Sequence, residues 1–266
     1  MSSEVSQLIE LFNKKAKLVA MLAPSFPVVY EYPQIVGKLK RLGFAYVLEV
    51  AAGAKKTNEA VVALLKSDPK SRFITSPCPS FVRLVRTKHP NLLPFLAMKA
   101  DSPMVATARI AKEKYPDFRP VFIGPCIAKK LESSQDYPQL DILVLTYKEL
   151  EEVFEKFNIP DLAAESGDAF DISEQATRIY PIDGGLTESS GVRDILAEDE
   201  IRIVSGWKNC ENALLEFEKN PKIRLVDILF CEGGCINGPG LISSLPLEDR
   251  KRKVFGFWKK GSFKKF

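Results

Sequence analysis

The segment RLVDILFCEGGCINGPG, residues 224–240, decides how the chain is read. Its first half is a short apolar run of the kind that forms a buried strand. Its second half sets two cysteines, Cys231 and Cys235, around a pair of glycines where that strand ends. In open parallel sheets, functional crevices form outside the carboxyl ends of strands. Gly233 and Gly234 read as room for a bulky group to approach bare backbone amides.

Six further runs have the same character: KLVAML (17–22), AYVLEV (45–50), RFIT (72–75), PVFIG (120–124), LDILVL (140–145) and IRIVS (201–205). Helical periodicity lies between them, in SQLIELFNKK, PQIVGKLKRLG, TNEAVVALLKS, SFVRLVRTK, SPMVATARIAKEK, YKELEEVFEKF and NCENALLEFEKN. Thr57 and the Asp101-Ser102-Pro103 run read as helix starts, and Gly43 as a helix end. Strands alternating with helices predict an α/β fold of two lobes, with parallel or mixed sheets flanked by helices. The acidic stretch IPDLAAESGDAFDISEQATRI (159–179) reads as a connection between lobes. The expected division is residues 1–158, 159–245 and a basic tail, 246–266. That tail, EDRKRKVFGFWKKGSFKKF from Glu248 on, reads as a solvated terminal segment, with contact to nucleic acid, an anionic membrane or an acidic protein as the alternative.

A chain of 266 residues can bury a substantial core, and its net charge of +4 is mild. No apolar run is long enough to span a bilayer, and MSSEVSQLIELFNKK lacks the pattern of a secretory signal. The cytoplasm is therefore the expected location. Thiols stay reduced there, which makes the five cysteines poor disulfide candidates and better ligands or core residues.

Cys78 follows the run at 72–75, Cys126 follows the run at 120–124, and Cys231 and Cys235 follow the run at 224–230. Four thiols on three strand ends can converge only through the whole fold. Zinc sites favour two tight cysteine pairs, whereas this chain has one pair and two singletons. Four thiolates without histidine also match the ligation of a 4Fe–4S cluster. Spacing alone leaves three readings open: an iron–sulfur cubane, a zinc site, or core thiols. Cys210, on the first turn of a helix, reads as a core thiol, and His89 as a surface residue.

TSPCPSFV (75–82), GPCIAKKLE (124–132) and FCEGGCINGPG (230–240) resemble, in order and context, three motifs of the catalytic domain of iron-only (FeFe) hydrogenases. Those motifs typically read TSCCPxW, MPCxxKxxE and MxCxxGCxxGGG. APSF (23–26), YPIDGGLTES (180–189) and IVSGWKNCENALLE (203–216) are similar to further family segments, so the resemblance runs over roughly residues 17–245. It implies an H-cluster between the lobes. Cys78, Cys126, Cys231 and Cys235 match the ligands of its 4Fe–4S part, and Cys235 matches the thiolate bridging to a diiron subcluster carrying CO, CN⁻ and a dithiolate. Lys129, which alone would read as a surface lysine, matches a cyanide-binding lysine. Pro24, Ser25 and Tyr180 match positions lining the diiron pocket, and Glu132 matches the acidic end of the second motif.

The departures bear on activity. Pro77 stands where the family has a proton-relay cysteine, and proline carries neither an ionisable group nor an N–H. Gly124 and Leu229 replace two methionines of the diiron pocket, which predicts a larger, wetter or reshaped cavity. These residues contain no ferredoxin-like run of cysteines. The resemblance implies reversible H₂ oxidation and proton reduction, slowed or turned to H₂ sensing by Pro77. The alternative is an electron-transfer or scaffold protein carrying only the 4Fe–4S cluster. Either role calls for an external redox partner such as a ferredoxin or an iron–sulfur subunit, with no nucleic acid and no membrane span.

Overall fold

The structure, a computed structural model, describes residues 2–163, 165 and 167–262. All seven apolar runs form strands, and every strand pair is parallel. β1 (Leu18–Leu22), β2 (Tyr46–Glu49), β4 (Arg119–Gly124) and β5 (Leu143–Thr146) make one sheet in the order β2-β1-β4-β5. β3 (Phe73–Ile74), β6 (Ile201–Ser205) and β7 (Leu225–Leu229) make a second in the order β3-β7-β6.

Helices cover both sheets: α1 (Ser3–Asn13), α2 (Gln34–Leu42), α3 (Ala51–Ser67), α4 (Pro79–Lys88), α5 (Pro103–Lys114), the short α6 (Ala128–Leu131), α7 (Tyr147–Lys156), α8 (Gly185–Ser190), α9 (Trp207–Lys219) and α10 (Leu247–Ser262). The two-residue period of a strand explains the layering. Along β1, Leu18, Ala20 and Leu22 join the core under α1, α2 and α7, whereas Val19 and Met21 join the core under α5. In β7, Val226 and Ile228 pack with Phe81 of α4 and Phe217 of α9. Leu225 faces the other way, onto Ala54, Val61 and Leu65 of α3. With both faces buried, these strands must read as continuous apolar runs.

Three expectations need correcting. Thr57 does not start a helix. α3 begins at Ala51, and the Thr57 hydroxyl donates within it to Gly53 and across to the Asp101 carbonyl. Ser102 does cap α5, accepting from the Val105 amide, and Gly43 ends α2 at φ +121°. Second, the sheets do not divide at residue 159, because β3, from the first half of the chain, pairs with β7. Nor is 159–179 a free linker, although residues 164 and 166 lie outside the described residues. Asp171 trades backbone and side-chain hydrogen bonds with Val47, and Glu49 N–H donates to Ile172, so this stretch covers the open edge of β2.

Third, the basic tail is not simply solvated. Residues 263–266 lie outside the described residues, but 247–262 form α10, whose Val254 and Phe257 are buried. Phe257 meets Phe26 edge-on at 4.9 Å, with the Arg178 guanidinium 4.1 Å from its ring centre. Arg252, Lys259 and Lys260 are exposed, whereas Arg250 and Lys251 turn inward to the Ile236 carbonyl and to Asp183, a division that the run of charges alone does not reveal. No helix among the described residues is long and apolar enough to cross a membrane.

Candidate metal centre

Strand ends from both sheets meet at one place. Cys78 follows β3 and caps the N-terminus of α4, with Pro79 as its first residue. The amides of Phe81 and Phe230 point at its sulfur and favour the thiolate, as does the start of the helix. Burial opposes them and pushes the Cys78 thiol up to about 11, with Cys126 adding to the rise. Cys126 sits in the turn between β4 and α6 and is half-buried. Cys231 is pushed up to about 12 by burial, then by Cys78 and Cys126. Cys235 is driven well above its usual value by burial and by all three others, with Lys129 pulling it back.

Cys78, Cys126 and Cys231 all raise the Cys235 pKa, which places the four cysteines near one another, and Cys210, raised by Cys78 and Cys231, lies near them too. Among the described residues, no three His, Cys, Asp or Glu groups are placed to hold one metal ion. Cys210 is fully buried and its S–H donates to the Leu229 carbonyl at 3.5 Å, as a core thiol would.

The two glycines play a different part from the one the sequence suggests. Gly233 and Gly234 have φ of +71° and +98°, and a Cβ at either would strike protein: Leu247 at 2.7 Å, or the Pro181 carbonyl at 2.4 Å. Their amides are taken as well, by Ser205 Oγ and the Cys231 carbonyl. They shape the turn between the cysteines and admit neighbouring chain, rather than presenting free amides to a cluster.

Beside Cys235 and Cys126 lies a cavity of about 60 Å³. Pro24, Ser25, Lys129, Tyr180 and Leu229 all line it. Pro77, Pro103, Met104 and Phe122 complete its walls. Of a larger, wetter or reshaped cavity, the contact at Gly124 bears on the shape. The Phe122 ring swings over Gly124, so that a Cβ there would sit 2.7 Å from it. The space left by the missing side chain is filled by the residue two positions back on the same strand face. Phe122, Met104 and Pro103 went unrecognised as site residues, since their only sequence signal is proximity to a strand or helix end.

Lys129 is buried, and its three ammonium hydrogens have three acceptors: Glu132 Oε2 at 2.5 Å, Ser102 Oγ at 3.0 Å and the Pro77 carbonyl at 3.1 Å. It ties α6 to the Cys78 loop and to the α5 cap. The Ser25 hydroxyl donates to Tyr147, which in turn donates to the Ala23 carbonyl. Burial raises the Tyr180 phenol well above its usual value, so it stays neutral. The Lys129 charge at the wall is already compensated by Glu132.

The four thiols fit a 4Fe–4S cluster. The cavity does not fit a diiron subcluster. At about 10–15 Å³ for one water, its volume admits a few waters. Two irons with diatomic ligands and a dithiolate need far more, and the Phe122 ring stands in the way.

The chain spans about half the length of the curated relatives it matches. It is 25% identical to the probable cytosolic Fe-S cluster assembly factor oxy-4 of Caenorhabditis elegans, over 83% of this chain and 60% of that protein. It is 26% identical to iron hydrogenase 1 of Clostridium pasteurianum, over 78% and 45%. It is also 26% identical to the cytosolic Fe-S cluster assembly factor NAR1 of Encephalitozoon cuniculi, over 64% and 52%. A solved FeFe-hydrogenase HydA1 variant from Chlamydomonas reinhardtii superimposes with a TM-score of 0.69 at 18% identity, over 97% of this chain and 88% of the other, a likeness of fold. The family described as the C-terminal domain of the iron-only hydrogenase large subunit matches residues 16–239. By that match over most of its length, the chain belongs to the family of C-terminal domains of iron-only hydrogenase large subunits.

Proposed function

We propose that this chain binds a 4Fe–4S cluster on Cys78, Cys126, Cys231 and Cys235, and serves electron transfer or iron–sulfur cluster assembly in the cytosol rather than H₂ turnover. The observation that carries this reading is the cavity beside the thiols: about 60 Å³, occupied by the Phe122 ring and walled by Pro77 in place of an ionisable group. Two relatives bear the names of cytosolic cluster assembly factors, which supports the same role. A bound cubane supplies one-electron chemistry. The chain supplies burial at Cys78, half-exposed edges at Cys126 and Cys231 through which an external iron–sulfur protein can exchange electrons, and a compensated cation at Lys129.

Reversible H₂ oxidation at a full H-cluster is the second reading, and Lys129 favours it, because a cubane alone has no need of an ammonium at the cavity wall. It would require Phe122 to swing away and Lys129 to release an acceptor. Infrared spectroscopy of protein produced together with diiron-subcluster assembly proteins separates the two. The expected spectrum has no CO or CN⁻ stretching bands. Such bands would establish the second reading.

A further inference from the structure

The cluster loop is held from a direction that the cysteine motifs do not announce. Arg250, in the first turn of α10, donates four hydrogen bonds. Two end on the cluster loop, from Nη1 to the Ile236 carbonyl at 3.2 Å and to Asn237 Oδ1 at 2.9 Å. The others fix the chain leading into α10, from Nε to the Leu245 carbonyl at 2.8 Å and from Nη2 to the Ser243 carbonyl at 3.0 Å. Ile236 and Asn237 directly follow Cys235. One helical turn earlier, Leu247 fills the space above Gly233. One residue later, Lys251 pairs at 3.3 Å with Asp183, whose amide donates to the Gly233 carbonyl. The far end of α10 is anchored in the core by Val254 and Phe257.

We propose that Arg250 is a positioning residue for the metal centre. It holds Cys231 and Cys235 in the geometry that receives the cluster, and α10 is its rigid mount. A planar guanidinium can serve two carbonyls of one segment and two acceptors of another at fixed angles, which a lysine ammonium cannot do. The inference deepens the reading of the four thiols as cubane ligands and rests on it for its cluster readout.

The test compares Arg250→Gln, Arg250→Lys and Arg252→Gln in the full chain. Arg252 is exposed and, among the described residues, pairs within its own helix, with Asp249. In metal-free protein, alkylation of each cysteine is followed by mass spectrometry. Losing two bonds to the loop should speed labelling of Cys231 and Cys235 by about tenfold in Arg250→Gln, which corresponds to about 1.4 kcal/mol. Labelling of Cys78 and Cys126 should hold steady, Arg252→Gln should match the unmodified protein, and Arg250→Lys should recover only part of the effect. In reconstituted protein, Arg250→Gln should change the electron paramagnetic resonance line shape of the reduced cubane and hasten its loss to a chelator. Unchanged labelling at Cys231 and Cys235 would overturn the proposal. So would equal acceleration at all four thiols, which marks general loosening. Failure of the unmodified chain to take up a cubane would sink the functional reading, while the labelling ratios would still judge Arg250.

Discussion

Replacing Arg178 with methionine should destabilise the chain strongly, and more so at high pH than at low. Glu49 ends β2 with no solvent exposure, and Arg178 meets its carboxylate twice, at 2.7 and 2.9 Å. The only other donor that reaches this carboxylate among the described residues is the Glu174 amide, at 3.4 Å. Methionine keeps the stem's volume but strands the carboxylate, and breaking a buried pair costs about 3–5 kcal/mol. At about 2–4 °C per kcal/mol for a large domain, the melting temperature should fall by about 10 °C. Burial already raises the Glu49 pKa, and Arg178 pulls it down. Without Arg178 the folded-state value rises further above the unfolded one. The folded state then holds the extra proton, so stability is fully present below the unfolded value and lost as pH climbs through the folded value. The penalty should therefore be largest at pH 8 and shrink toward pH 4.5. Glu49→Leu combined with Arg178→Met should recover most of the loss, since an apolar pair replaces a buried ion pair at little cost. Urea unfolding of the three variants across pH is the assay. A single-variant loss under 1 kcal/mol at pH 8, or a double variant no more stable than the single, would refute the reasoning.

Asp227 is buried inside β7, its Oδ2 accepting from both the amide and the hydroxyl of Thr187, and burial raises its pKa. Asp227→Asn keeps an acceptor there, so its stability should fall less than the parent's as pH rises above the usual carboxylate range, where the parent's carboxyl is forced to ionise; denaturant midpoints across pH would show the difference. Gly234→Ala places a methyl 2.4 Å from the Pro181 carbonyl at φ +98°, and should lower stability by about 1–3 kcal/mol and weaken cluster retention, read by thermal melts and iron content. Cys210→Ser should retain the cluster with full visible absorbance, whereas serine at Cys78, Cys126, Cys231 or Cys235 should lose it.

What the sequence revealed, and what it hid, follows from how far each feature depends on distant contacts. Strands buried on both faces announce themselves as apolar runs, and cysteines at the ends of β3, β4 and β7 announced the centre because parallel strands share one functional end. Membership of β3 in the second sheet was hidden, since two residues carry no information about a partner far along the chain in β7. The shape of the cavity is set by packing that the sequence does not show, since the Phe122 ring lies against Gly124. The glycines of the third motif were visible, but their purpose was not, because Leu247 and Pro181 reach them from other segments. α10 is obscured by the many charges around its few apolar residues, of which Val254 and Phe257 are buried.

The most direct measurement is anaerobic reconstitution of the full chain with iron and sulfide, followed by metal analysis and electron paramagnetic resonance of the reduced protein. A single cubane on four converging thiols predicts about four irons and four sulfides per chain, with a spin-½ signal that vanishes in Cys235→Ser and persists in Cys210→Ser. One tightly held zinc, or iron uptake indifferent to Cys235, would contradict it.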